Sequence, residues 1–93
     1  MFSTTAVIER VECYQCVSWP GSNLSTRVAD KLVATVVSPS EFSGRHITLY
    51  VWNDNDKPQI WLPDSRVSFP AFVDLMERDR AVFPVSEASF VSK

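Results

Sequence analysis

The sequence predicts a small α+β domain. An antiparallel sheet of about four strands, at residues 6–19, 26–37, 46–52 and 58–62, is joined by one amphipathic C-terminal helix over residues 69–80. Three observations carry this. His46 to Trp52 alternates strictly, with Ile47, Leu49 and Val51 on one face and His46, Thr48, Tyr50 and Trp52 on the other, the period of a half-buried strand. Residues 6–19 are dense in β-branched and aromatic side chains, which suit a pleated surface. Phe69, Phe72, Val73 and Met76 recur at helical spacing. With 93 residues, the chain is expected to be a single domain spanning 1–93, burying only about 60–65% of its unfolded surface.

In the first strand Val7, Glu9, Val11, Cys13, Gln15, Val17 and Trp19 share one face, and Pro20-Gly21-Ser22-Asn23 reads as the turn that ends it. Residues 26–37 can be read two ways. As a helix, Ser25 caps it and Val28, Leu32, Val33 and Val36 form a stripe. As a strand, Val28, Leu32, Ala34 and Val36 face one way, and the β-prone run from Leu32 to Val37 favours that reading. If this segment is helical and residues 81–85 are a strand, the order becomes βαββαβ, a ferredoxin-like layout. A loop covers Ser38 to Gly44. Asn53-Asp54-Asn55-Asp56 is a dense turn, so 46–52 and 58–62 are expected to form a hairpin. The predicted helix starts with Ser68 or Phe69 as cap and Pro70 in its first turn, carries an Asp74–Arg78 pair, and stops near Arg80. Ala81 to Val85 reads as a short extended segment. The order strand, strand, hairpin, helix resembles, in topology alone, small single-strand-binding coactivator folds that dimerise through a C-terminal helix. No motif is specific to them and their basic character is missing, so no family is assigned.

Composition excludes several classes. Nine Lys+Arg against 11 Asp+Glu give a net charge of -2, which argues against a duplex-DNA binder relying on phosphate neutralisation. An apolar content of 45% is too high for a disordered chain. No apolar run approaches the about 20 residues needed to cross a bilayer, so no membrane partner is expected. The N-terminus lacks a basic region followed by an apolar stretch, so no signal peptide is expected, and two cysteines suit a reducing compartment. The expected location is cytoplasmic.

No catalytic set emerges. Cys13 and Cys16 have C-x-x-C spacing, but inside a strand they should point to opposite faces. A zinc site needs four ligands and His46 is a third at best; a redox role wants a helix N-terminus beside the first thiol. Both cysteines are therefore read as inert, the exception being a four-thiolate zinc site shared across a dimer. His46 has no nucleophile in motif context and reads as a sheet-edge residue. Asp54, Asp56 and Asp64 are explained by turn chemistry, since the glycine and glutamate of a calcium loop are absent. Two distant glycines, Gly21 and Gly44, cannot form a phosphate loop. Neither metal nor cofactor is expected, and the chain is read as a non-enzyme.

The aromatic residues are the most informative. Tyr50 and Trp52 lie opposite the apolar face of their strand, and Trp61 joins them if Ile60 and Leu62 turn to the core. With Arg45 and Lys57 at its rim, such a face is a candidate partner-binding surface. The competing reading makes these aromatics ordinary core. The expected function is a small protein–protein interaction module (an adaptor, inhibitor or assembly subunit, phage-borne or an accessory factor) using the aromatic face and sheet edges to bind a protein or itself. The alternative is a single-stranded nucleic-acid binder that stacks bases on Tyr50, Trp52 and Trp61, with Arg27, Lys31, Arg45 and Lys57 for phosphates. A small enzyme would need His46, Cys13 or Cys16 to be reactive.

Overall fold

Alternation of buried with less buried residues runs through residues 4–8 and 30–36 of the two longest strands in a computed structural model that describes residues 1–17 and 28–91. Six strands are present among them: β1 Phe2–Val17, β2 Ala29–Ser38, β3 His46–Trp52, β4 Arg66–Ala71, β5 Arg80–Pro84 and β6 Ser89–Val91, with one helix, α1, Val73–Glu77. They form one mixed sheet in the order β5-β3-β2-β1-β4-β6, in which β3 and β5 run parallel and the other neighbours antiparallel. Each register places inward residues beside inward residues: Ala6 with Val36 and Val67, Leu32 with Leu49, Leu49 with Ala81, and Val51 with Phe83. A one-residue slip would turn each of these sets to solvent, which is why the pairing is unique.

The sheet is strongly curled. β5 forms one edge and β4 lies next to the other, yet the Phe69 and Phe83 rings stack with centroids 4.5 Å apart and planes 7° from parallel. The core therefore lies inside the curl. Phe42, on a 3-10 turn at Ser40–Phe42, Met76 from α1, Val85 and Trp61 close it. Ala6, Ala34, Ala71 and Ala81 are buried in the same cluster, leaving room for the larger rings. Register shifts in β1 between Ile8 and Arg10, Val11 and Cys13, and Cys13 and Val17 bend the longest strand, as bulges do.

Several expectations are corrected. The sheet has six strands with a parallel pair, where four antiparallel strands were expected. Residues 58–62 form no strand, so the predicted hairpin is absent. β3 is already flanked by β2 and β5, leaving no edge for a returning strand. The turn residues also satisfy one another locally: Asn53 Nδ2 donates to the Lys57 carbonyl, and the Asn55 and Lys57 N–H groups donate to the Asn53 and Asn55 side chains.

The helix expected over 69–80 divides into β4, the five-residue α1 and β5. Val67, Phe69 and Ala71 are buried at a period of two, whereas Phe72 and Val73 are exposed. Pro70 sits in β4 opposite Ser3, beyond the last β6 partner, Ser89 at Ser68; its missing N–H therefore leaves no ladder bond unmade. Strand, not helix, holds at Ala29–Ser38, which also removes the ferredoxin-like alternative; the extended segment expected at 81–85 is β5. Residues 18–19 and 26–27 of the predicted strands and the turn at Pro20 to Asn23 lie outside the described residues.

The cysteines are corrected too. Gln15 adopts a left-handed backbone (φ 49), breaking the strand alternation and bringing Cys13 and Cys16 together in a disulfide with Cα atoms 6.1 Å apart. For a residue with a Cβ that conformation costs about 1–2 kcal/mol, so surrounding contacts must maintain it.

Candidate functional site

Strand parity puts Asp30 on the inner side of β2, in step with Leu32, Ala34 and Val36. The residue is 6% exposed, and a carboxylate there requires donors. Two are supplied. The Gln15 N–H donates to Oδ1 at 2.8 Å, and the Trp61 indole Nε1–H donates to Oδ2 at 2.8 Å. The Trp61 backbone N–H in turn donates to the Tyr14 hydroxyl at 3.1 Å, and the Trp61 ring meets Phe90 edge-on at 4.9 Å.

Trp61 is thereby the anchor of the segment between β3 and β4, at 3% exposed. The two ends of that segment are also tied down. Asp54 accepts the N–H and hydroxyl of Ser86, while the Asp64 N–H donates to the Ile8 carbonyl and the Ile8 N–H to the Ser65 carbonyl. With Trp61 turned in, its neighbours turn out: Ile60 is 73% and Leu62 59% exposed. Tyr14 and Phe90 are partly exposed beside them, and a cleft of about 240 Å³ lined by Ile8, Gln59, Trp61 and Phe90 among others runs under the ridge.

This inverts the expected orientation, in which Ile60 and Leu62 faced the core. An indole buries more apolar area than either aliphatic chain and its N–H finds a buried carboxylate, so the inward choice falls to Trp61. The five expected partner-binding residues are not brought together. Tyr50 and Trp52 do share the outer sheet face, Tyr50 between Lys31 and Val82, but Tyr50 is only 9% exposed. Trp61 lies on the opposite side of the sheet. Arg45 is engaged: it pairs with Asp79 at 2.7 Å, donates to the Glu77 carbonyl and lies over the Phe42 ring, clamping the α1–β5 turn. Lys57 is exposed in the Asn/Asp-rich turn.

Asp30 is the residue that sequence reasoning missed. It shares the parity of Leu32, Ala34 and Val36, and a carboxylate on the apolar face of a strand is the available signal. On the outer face, His46 Nδ1 and Glu9 Oε2 are 2.7 Å apart, with Thr35 Oγ1 3.3 Å from the same nitrogen. The hydrogen bond from His46 holds the Glu9 carboxyl below its ordinary value of 4.5. A lowered folded-state pKa contributes stability above the unfolded value and loses it as pH falls through the folded one. The urea midpoint of Glu9→Gln should therefore fall slightly below wild type at neutral pH, and the gap should close as pH drops below 4.5. A gap that is constant with pH would contradict this pairing.

Among the described residues no group of three or more His, Cys, Asp or Glu side chains is placed to hold a metal. Compared with known proteins, the chain matches no family model, no curated protein and no solved structure.

Proposed function

We propose that the chain is a non-enzymatic protein-interaction module whose principal contact is the Ile60–Leu62 ridge. The observation that carries this is two large aliphatic side chains held in solvent by a buried, hydrogen-bonded tryptophan between them. Exposed apolar residues gathered on one ridge favour burial against a partner, and full burial of one such side chain contributes about 1.5–3 kcal/mol. Anchoring at Trp61, Asp54 and Asp64 also lowers the ordering cost on binding, because the loop is already held in one shape. An adaptor, an inhibitor and an assembly subunit would all use such a surface, and Trp52 on the outer face offers a second contact for self-association. No helix among the described residues is long and apolar enough to cross a membrane. We place the module in the cytoplasm as part of the same proposal.

The variant Ile60→Ser/Leu62→Ser tests the reading. Both positions are exposed, so the unfolding free energy from urea denaturation should change by no more than about 0.5 kcal/mol. Self-association in sedimentation, or capture of a protein partner by immobilised module, should fall at least about tenfold. Unaltered association in a folded variant would refute the ridge as the contact. The single-stranded nucleic-acid reading has less support, since Trp61 offers no open ring face and Arg45 is engaged by Asp79. Lys31 is likewise paired with Glu12 at 3.6 Å, so it would rest on Trp52 and Lys57, and a salt-sensitive quench of tryptophan fluorescence by oligonucleotides would revive it.

A further inference from the structure

The two residues enclosed by the Cys13–Cys16 bridge are the two that hold Trp61. Tyr14 does so directly, through its hydroxyl and the Trp61 N–H, and Gln15 through Asp30, which grips the indole. We propose that this disulfide is a redox-controlled latch on the Trp61 anchor: closed, it fixes the bulge that clamps the tryptophan; opened by a dithiol, it releases it.

The geometry supports exchange at a defined atom. Cys16 is exposed and Cys13 is only partly so, which makes Cys16 Sγ the accessible target. A thiolate of the dithiol attacks Cys16 Sγ, the Sγ–Sγ bond breaks, and Cys13 leaves as a thiolate. The second thiol of the reductant then attacks the mixed disulfide and releases Cys16. Two electrons and two protons pass to the protein, and the dithiol becomes a disulfide. Without the cross-link, Gln15 is free to leave its left-handed conformation for the extended one that residues with a Cβ prefer. That rotation re-aims the Gln15 N–H away from Asp30 and shifts the adjacent Tyr14 hydroxyl from the Trp61 N–H. Any consequence for partner affinity rests on the ridge proposed above, whereas the release of Trp61 does not.

Hydrogen exchange of the Trp61 indole N–H, followed by NMR on the full chain before and after dithiothreitol, tests the latch. Thiol titration should count two new thiols. Exchange of the Trp61 indole should then accelerate at least about tenfold, while the Leu32 and Leu49 amides keep their protection. The Cys13→Ser/Cys16→Ser variant should show the fast exchange without any reductant. Unchanged Trp61 exchange after both thiols appear would overturn the proposal, as would the absence of a bridge in air-oxidised protein. Loss of protection at Leu32 and Leu49 together with Trp61 would also overturn it, since the bridge would then be a staple of the whole fold. A ridge that binds nothing leaves these exchange outcomes untouched, so the two proposals fail separately.

Discussion

Trp61→Ala is expected to destabilise the domain by about 3–5 kcal/mol, among the largest effects of any single substitution. The side chain is buried, its ring packs on Phe90, and its removal also strips Asp30 of one of its two donors. For a domain of this size each kcal/mol moves the melting midpoint by roughly 4–8 °C. Trp61→Phe separates the contributions: most of the apolar bulk stays, and the unsatisfied Asp30 oxygen alone should cost about 1–3 kcal/mol. Urea denaturation followed by circular dichroism reads both. A loss below about 1 kcal/mol for Trp61→Ala would mean that the indole is not buried in solution, and the outward orientation of Ile60 and Leu62 would lose its cause.

Phe83→Ala is the second large effect, again about 3–5 kcal/mol, and its partner is the informative part. Phe83 lies on edge strand β5 and Phe69 on β4, with three strands, β3, β2 and β1, between them, yet their rings stack. Only the curl of the sheet brings them together. A double-mutant cycle with Phe69→Ala should therefore give a coupling of about 0.5–1.5 kcal/mol. Strict additivity would mean that the two wings of the sheet do not meet.

Both substitutions bear on what local pattern could and could not reveal. The alternation in His46 to Trp52 was legible because half-burial of a strand imposes a period of two on the residues themselves. The run from Leu32 to Val37 was legible as strand for the same reason, together with its β-branched side chains. Phe69, Phe72, Val73 and Met76 misled because four apolar residues fit a helical spacing by position while their burial follows β4 and α1 separately. Pro70 looked like a helix start; its tolerance in β4 depends on how far β6 reaches, a fact about a distant part of the chain.

The sequence by itself determined the β-rich character and the inward face of β3, because each depends on neighbouring residues along the chain. Tertiary structure alone decided the parallel pairing of β5 with β3, the curl that stacks Phe69 on Phe83, and the inward turn of Trp61 in place of Ile60 and Leu62. It also decided the closing of Cys13 onto Cys16 through Gln15. Each of these is set by a partner far away in sequence: a strand edge left open beside β3, a buried carboxylate on β2, a ring on the opposite wing. Spacing along the chain records which residues can be buried together; which of them are is settled by the shape of the cavity they share.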